Sequence, residues 1–411
     1  MKKLFFLCVI VIAYFTLYPW RFVPFHEHST ILESWRPFFG KGDYLDIVVN
    51  LCFYLPLGVL GVFAWWKGSS TTGRWIALAT FGAALSIMLE TIQAWVPGRE
   101  SSLLDVLTNT IATIAGARLG IAIAGHLPSG LRQGMPSPRR QMPGVLIAAW
   151  LVSQWFPFLP ILRIPQFSES LHALMQVSSL GWIDLVDAFV IALLVGRLLR
   201  EVLSSSAYRF ALLGACLVLP ARLLIVVGAV PWPLAAAFAA GLVVSHIALV
   251  RAHAGERLLA TAAVLLIAVR ELDPFHLAVS AEPFHWIPFS GFLEATRGSA
   301  IRVVSEKFFL YGAAVWMVRE SGVSLRIAAV GITGLLIAGE YTQRYLPGRF
   351  AESTDPILAV IAACVIVWLT DRPPAPARLP AGQFREHDRH DDRHARSREA
   401  RTAERHRDSS V

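Results

Sequence analysis

Apolar runs of about 20 residues recur along almost the whole chain, and this repetition settles the solvent before any other question. In lipid every backbone amide and carbonyl must find a partner inside the protein, which leaves helices or closed barrels as spanning structures. Runs of this length belong to helices. The composition agrees, with 55% hydrophobic and only 16% charged residues, where soluble domains carry about 25% charged. The 411 residues therefore read as an all-α polytopic membrane protein with about twelve transmembrane helices. The runs lie near 4–18, 45–66, 75–96, 103–124, 145–162, 180–199, 210–230, 233–250, 258–269, 301–318, 327–346 and 357–369. Arg270, Glu271 and Asp273 make the ninth the weakest. The first follows Lys2 and Lys3 with no small-residue cleavage site after it, so it is expected to stay as a signal anchor.

Lys and Arg favour the cytoplasmic side of a membrane. Lys67, Arg74, Arg132, Arg139, Arg140, Arg200, Arg251, Arg257, Arg319 and Arg326 fall in even-numbered loops, whereas the odd loops mix Arg with many Asp and Glu. Both termini are expected in the cytoplasm of a bacterial inner membrane, with the loops holding Arg99 and Arg349 outside. The tail 371–411 alternates Arg, His, Asp and Glu and is expected to be disordered. Its His387, His390 and His394 read as part of a solvated tail rather than a metal tract. The net charge of +8 is then an effect of membrane loops and tail, and no nucleic-acid partner is expected. Cys8, Cys52, Cys216 and Cys364 sit inside apolar runs without metal-binding spacing. No disulfide, metal or cofactor is expected.

A polar stretch interrupts this pattern twice. "ETIQAWVPGRESSLLD" from Glu90 returns as "EYTQRYLPGRFAESTD" from Glu340. Glu90 pairs with Glu340, Gln93 with Gln343, Pro97 with Pro347, Gly98 with Gly348, Arg99 with Arg349 and Asp105 with Asp355, each pair 250 positions apart. Both copies have the same predicted orientation, as in a parallel repeat. Upstream, "YPWRFVPF" has a counterpart in "LDPFHLAV…FHWIPF", and a middle block opens similarly with "SQWFPFLPIL". Three four-helix modules are expected, the central one degenerate.

Asp46-x3-Asn50 followed by "FYLPLG", then Glu90-x2-Gln93-x3-Pro97-Gly98-Arg99, then "DVLTNT" with Asp105 and Asn109, resembles the VanZ-like family of bacterial membrane proteins. The resemblance covers residues 1–125. It implies a polytopic membrane protein, and with the repeat the chain is expected to continue through a linker at 126–143, a central block at 144–257 and a second, divergent module at 258–370 ahead of the tail. In that last module "SEKFFLYG" replaces "NLCFYLPLG" and Ala359 stands where Asn109 would align. The family's namesake is associated with resistance to teicoplanin, a glycopeptide, and the resemblance supplies no established reaction.

The candidate polar site is Asp46, Asn50, Glu90, Gln93, Arg99, Asp105 and Asn109 in the first module, and Glu340, Gln343, Arg349 and Asp355 in the second. A carboxylate inside a span is costly and marks a functional candidate. Arg offers a donor fork suited to carboxylate or phosphate. Plainer roles compete. Pro-Gly ends a helix; Ser102-x2-Asp105 fits a capping box, Asp355-Pro356 a cap before a first-turn proline; Asp46 and Asn50 suit interhelical hydrogen bonds. Three functional readings follow: binding of an envelope component or amphipathic antibiotic by an extracytoplasmic polar site, a membrane enzyme on a lipid-linked or cell-wall substrate, or a proton-coupled transporter. The absence of a visible nucleophile, metal cluster or phosphate loop favours the first. Membrane lipids are the remaining expected partner.

Overall fold

The computed structural model describes residues 1–17, 20, 22–23, 35–36, 43–65, 71–96, 101–126, 138–156, 158, 164–177, 180–203, 205–225, 228–247, 253–286, 288–289 and 297–370. The Pro97–Gly98–Arg99 turn, most of the 126–143 linker and the tail 371–411 with its histidines lie outside the described residues, as does the side chain of Asp46.

Fourteen α-helices are described. The first four are α1 (Lys2–Leu17), α2 (Asp43–Ala64), α3 (Thr71–Gln93) and α4 (Leu103–His126). The middle of the chain forms α5 (Pro138–Trp155), α6 (Ile164–Met175), α7 (Trp182–Val202), α8 (Ser205–Cys216), α9 (Val218–Ala221, running on into a 3-10 turn at Arg222–Leu224) and α10 (Trp232–Ile247). The last four are α11 (His253–Leu272), α12 (Arg297–Glu320), α13 (Leu325–Gln343) and α14 (Thr354–Thr370). Two short strands, β1 (Trp35–Arg36) and β2 (Ser101–Ser102), pair in parallel.

The chain is thus all-α and membrane-like. Among the described residues, Ile47–Ala64, Trp75–Gln93, Leu103–Ala124 and Leu325–Gln343 are long and apolar enough to cross a membrane, and α8 with its continuation, bent by 45°, makes a fifth candidate. Helices α10 and α14 are apolar but shorter. Every apolar run of the sequence overlaps a helix, while α6 lies in what reads as a loop. None of the four cysteines forms a disulfide.

The described residues bury two hydrophobic cores. One belongs to α1–α4 and centres on Phe5, Ile12, Tyr54, Leu57, Leu85, Leu89 and Ala112. The other runs without a break from Met142 and Leu146 of α5 through Leu194 and Leu198 of α7 to Phe309, Trp316 and Ile366 of the last helices. Lys3 donates to the Trp368 carbonyl, bringing the start of α1 to the end of α14.

Small residues set the closest helix approach. A Cβ on Gly58 of α2 would overlap the Thr113 carbonyl, and one on Gly116 of α4 would overlap the Leu55 carbonyl, so these two glycines let the α2 and α4 backbones touch. Without a hydrophobic drive between helices in lipid, such backbone proximity and the dispersion it brings hold the pair together. A Cβ on Gly334, exposed on α13, meets nothing within 4 Å. Gly116→Ala should therefore lower the thermal midpoint in detergent by an overpacking cost of about 1–3 kcal/mol, while Gly334→Ala should be neutral or stabilising by about 0.5–1 kcal/mol. Equal midpoints for the two variants would contradict the α2–α4 contact.

Candidate functional site

Helix α3 gives way to a turn in which Val96 donates its N–H to the Gln93 carbonyl at 2.8 Å. One turn back, Glu90 is buried, and its Oε2 accepts the Ser102 N–H at 2.9 Å. Ser101 Oγ donates to the Glu90 carbonyl at 2.7 Å, and Gln93 Nε2 donates to the Thr16 carbonyl at 2.7 Å near the end of α1. Glu90 and Gln93, three residues apart and so on one face, thereby tie α3 to the strand before α4 and to α1. The polar pair closes the hairpin. Beneath it, Asn50 Nδ2 donates to Thr108 Oγ1 at 3.4 Å, and Asn109 Nδ2 donates to Ser86 Oγ at 2.8 Å. The Tyr54 hydroxyl also bonds Ser86 and lies within electrostatic reach of Glu90 and Asp105. Asn109 Oδ1 is buried without a hydrogen-bond partner. The Asp105 N–H reaches Ser102 Oγ at 3.3 Å, the cap that the Ser-x2-Asp spacing predicts. Asn50, Glu90, Gln93, Asp105 and Asn109 thus gather at one end of α2–α4, with Arg99 and the Asp46 side chain outside the description.

The same contacts recur 250 residues on. Glu340 Oε2 accepts the Glu352 N–H at 2.8 Å. A parallel bridge joins His285 to Glu352 where Arg36 joins Ser102. Ala278 donates its N–H to the Tyr345 carbonyl at 2.6 Å, as Val23 does to the Trp95 carbonyl at 2.9 Å. The ends of α1, α5 and α11 also share one device. After each comes an x-Pro-aromatic sequence whose aromatic residue, Trp20, Phe158 or Phe275, has φ of 61°, 62° and 62° and donates its N–H to the carbonyl three residues back. A bulky residue at positive φ is strained by about 1–3 kcal/mol, so its recurrence at three helix ends points to a constrained geometry.

The two sites then diverge in charge. Gln343 Nε2 donates at 2.7 Å to Glu271 Oε2, a carboxylate at the end of α11 where the first module offers only the Thr16 backbone. Lys307 Nζ on α12 donates to both oxygens of Asp355, at 2.6 and 2.8 Å, and the Tyr311 hydroxyl donates to Asp355 Oδ2 at 2.7 Å. Glu271, Glu340 and Asp355 are all buried, and one oxygen of each lies within 4.8 Å of the others. That spacing suits a cation, and the Lys307 ammonium already supplies one at Asp355. Asp355 is therefore not a helix cap: α14 begins at Thr354, whose Oγ1 accepts the Phe289 N–H at 2.7 Å, and the Asp355 carboxylate turns inward to Lys307. Arg349 turns the other way, bonding the carbonyls of Arg270 and Asp273 at 2.8 Å each and the Asp273 carboxylate at 3.2 Å.

Glu271, Lys307 and Tyr311 are the site residues that motif matching passes over. Their signal is present as exceptions: Glu271 spoils an apolar run, and Lys307 lies in the segment that departs from the first module's pattern. Next to them Arg270 forms a bidentate pair with Asp187 of α7, at 2.6 and 2.7 Å, and bonds Glu306 of α12 at 2.8 Å.

A helical membrane bundle with a hydrogen-bonded polar cluster at one end is the class defined by this fold and site. The family model described as VanZ/LLP1 matches residues 5–124, so the N-terminal module is VanZ-like. No curated protein and no solved structure matches the chain.

Removing Lys307 would leave Asp355 buried without its cation, which costs about 3–5 kcal/mol. Lys307→Met should unfold in detergent at clearly lower temperature than the parent. Adding Asp355→Asn should recover most of the loss, since the amide keeps an acceptor for Tyr311. A Lys307→Met protein as stable as the parent would show that the pair is not formed.

Proposed function

We propose that this chain is a bacterial inner-membrane protein built from VanZ-like modules, with both termini in the cytoplasm and its polar clusters at the extracytoplasmic end. The C-terminal cluster binds a polar or cationic group of an envelope component or of an amphipathic antibiotic, and the protein protects the envelope, glycopeptide resistance being the form of protection the family suggests. The observation that carries this reading is the charge excess in one place: three buried carboxylates share a site with one directly bonded ammonium. At the first hairpin Glu90 is buried and Asp105 beside it is only half-buried. Three fully buried carboxylates in one place go beyond that precedent, because burying each is costly.

The recurrence of the Glu–amide bond 250 residues apart and of the strained aromatic after α1, α5 and α11 supports a parallel arrangement of three modules, the central one reduced. A second reading, proton-coupled movement of a ligand, is favoured by the same excess, since carboxylates in close company share protons.

The test is Glu340→Gln beside Glu90→Gln, each keeping a carbonyl acceptor for its amide partner. Both variants should fold and reach the membrane. Glu340→Gln should lose protection against glycopeptide or envelope stress in cells, and Glu90→Gln should keep it. Full protection with Glu340→Gln would sink the proposal.

A further inference from the structure

Helix α6 has three faces rather than two. Ile164, Phe167, Leu171 and Met175 follow one another at helical spacing and form a single apolar stripe that the protein leaves uncovered, Ile164 being 86% and Met175 69% exposed. Beside the stripe lie exposed Glu169, His172 and Gln176. On the remaining side Ser170 is buried, 5% exposed, against the Gly228 segment. Protein, apolar surroundings and water each have a face, which is the pattern of a helix lying in the plane of a membrane surface.

A second segment carries the same signal independently. From Phe275 to Trp286 the chain is held by backbone bonds, Ala278 N–H to the Tyr345 carbonyl and Glu282 N–H to the Arg344 carbonyl. Yet Leu277, Val279 and Trp286 point away from the protein, 69%, 105% and 80% exposed. The pinned backbone keeps these side chains out instead of letting them fold back. Contiguous apolar surface of this kind marks an interaction site.

Both segments lie at the same end of the molecule, by a chain of contacts. Ser170 faces Gly228, Arg222 Nε bonds the Gly228 carbonyl at 3.1 Å, and Arg222 is within electrostatic reach of Glu306. Glu306 bonds Arg270, whose carbonyl accepts from Arg349 in the turn after α13.

We propose that α6 and the Phe275–Trp286 segment together seat this end of the protein in the interfacial layer of the lipid bilayer, which places the neighbouring acidic cluster at headgroup depth. Lipid is the occupant because the spans of the same chain already leave apolar surface uncovered, Ile327, Val330 and Ile337 of α13 among it, and because Trp is favoured at the membrane–water boundary. Neither segment contains Lys or Arg, so the seat is apolar and does not depend on anionic lipid.

Single nitroxide labels in full-length protein lacking its four native cysteines, reconstituted in phosphatidylcholine vesicles, test this. Labels at Ile164, Leu171, Met175 and Val279 should collide preferentially with oxygen, and labels at Glu169, Gln176 and Glu282 with a water-soluble nickel chelate. These positions are exposed, so cysteines there leave the packing intact. Added phosphatidylglycerol should leave the profile unchanged. The proposal is overturned if the apolar positions collide like the polar ones, or if they are shielded from both reagents, as beneath a second copy or a protein partner. A depth that appears only with anionic lipid overturns it as well.

Discussion

One bond organises the polar end of each hairpin: a buried carboxylate accepts the backbone N–H twelve residues further along, Glu90 from Ser102 and Glu340 from Glu352. The bond lies in a site largely stripped of water, where leaving either partner without the other is expensive. The consequences spread outward. Holding Ser102 in place aligns β2 with β1 and presents Ser102 Oγ as the cap of α4; holding Glu352 aligns it with His285 and positions Asp355 in the first turn of α14. The Gln one helical turn on completes the arrangement by reaching the end of α1 at Thr16 in one case and the end of α11 at Glu271 in the other.

The two clusters share this bond and differ around it. Among the described residues near Tyr54 and Ser86, Asn109 Nδ2 bonds Ser86, and Asn109 Oδ1 is buried without a hydrogen-bond partner. Around Glu340, Glu271 accepts from Gln343 where a backbone carbonyl accepts from Gln93, and Lys307 enters from α12. Charge continues into the middle of the chain: Arg270 bridges Asp187 and Glu306, and at the opposite end of α7 Arg197 pairs with Glu201 at 2.5 Å and Glu256 at 2.9 Å. These ion pairs sit beside the continuous core that α5 and α7 share with α11–α14.

Much of this was legible in the sequence. Apolar length marked an all-helical chain, since helices satisfy their own backbone in lipid, although among the described residues only four or five of the twelve runs are long and apolar enough to cross a membrane. The 250-residue offset pointed to Glu340, Gln343 and Asp355. Less visible was how they would be used. Asp355 before Pro356 has the form of a helix cap, and only the approach of Lys307 from 48 residues away redirects it. Glu271 and Arg270 looked like flaws in a span because their partners, Gln343 and Asp187, lie 72 and 83 residues distant. Local patterns report local bonds; a charge whose partner is remote reads as an error. Helix α6 escaped for a related reason, being too short and too polar on one face to register as a span.

The central claim is that the Glu340 carboxylate holds together the turn after α13 and the segment that follows α11. Amide hydrogen exchange on Glu340→Ala tests it most directly. The account predicts faster exchange at Glu352 and, in concert, at Ala278, Glu282 and His285, whose N–H groups bond to the turn that Glu340 fixes, with Val23 and Ser102 unchanged. Unaltered exchange at Ala278, Glu282 and His285 would contradict it.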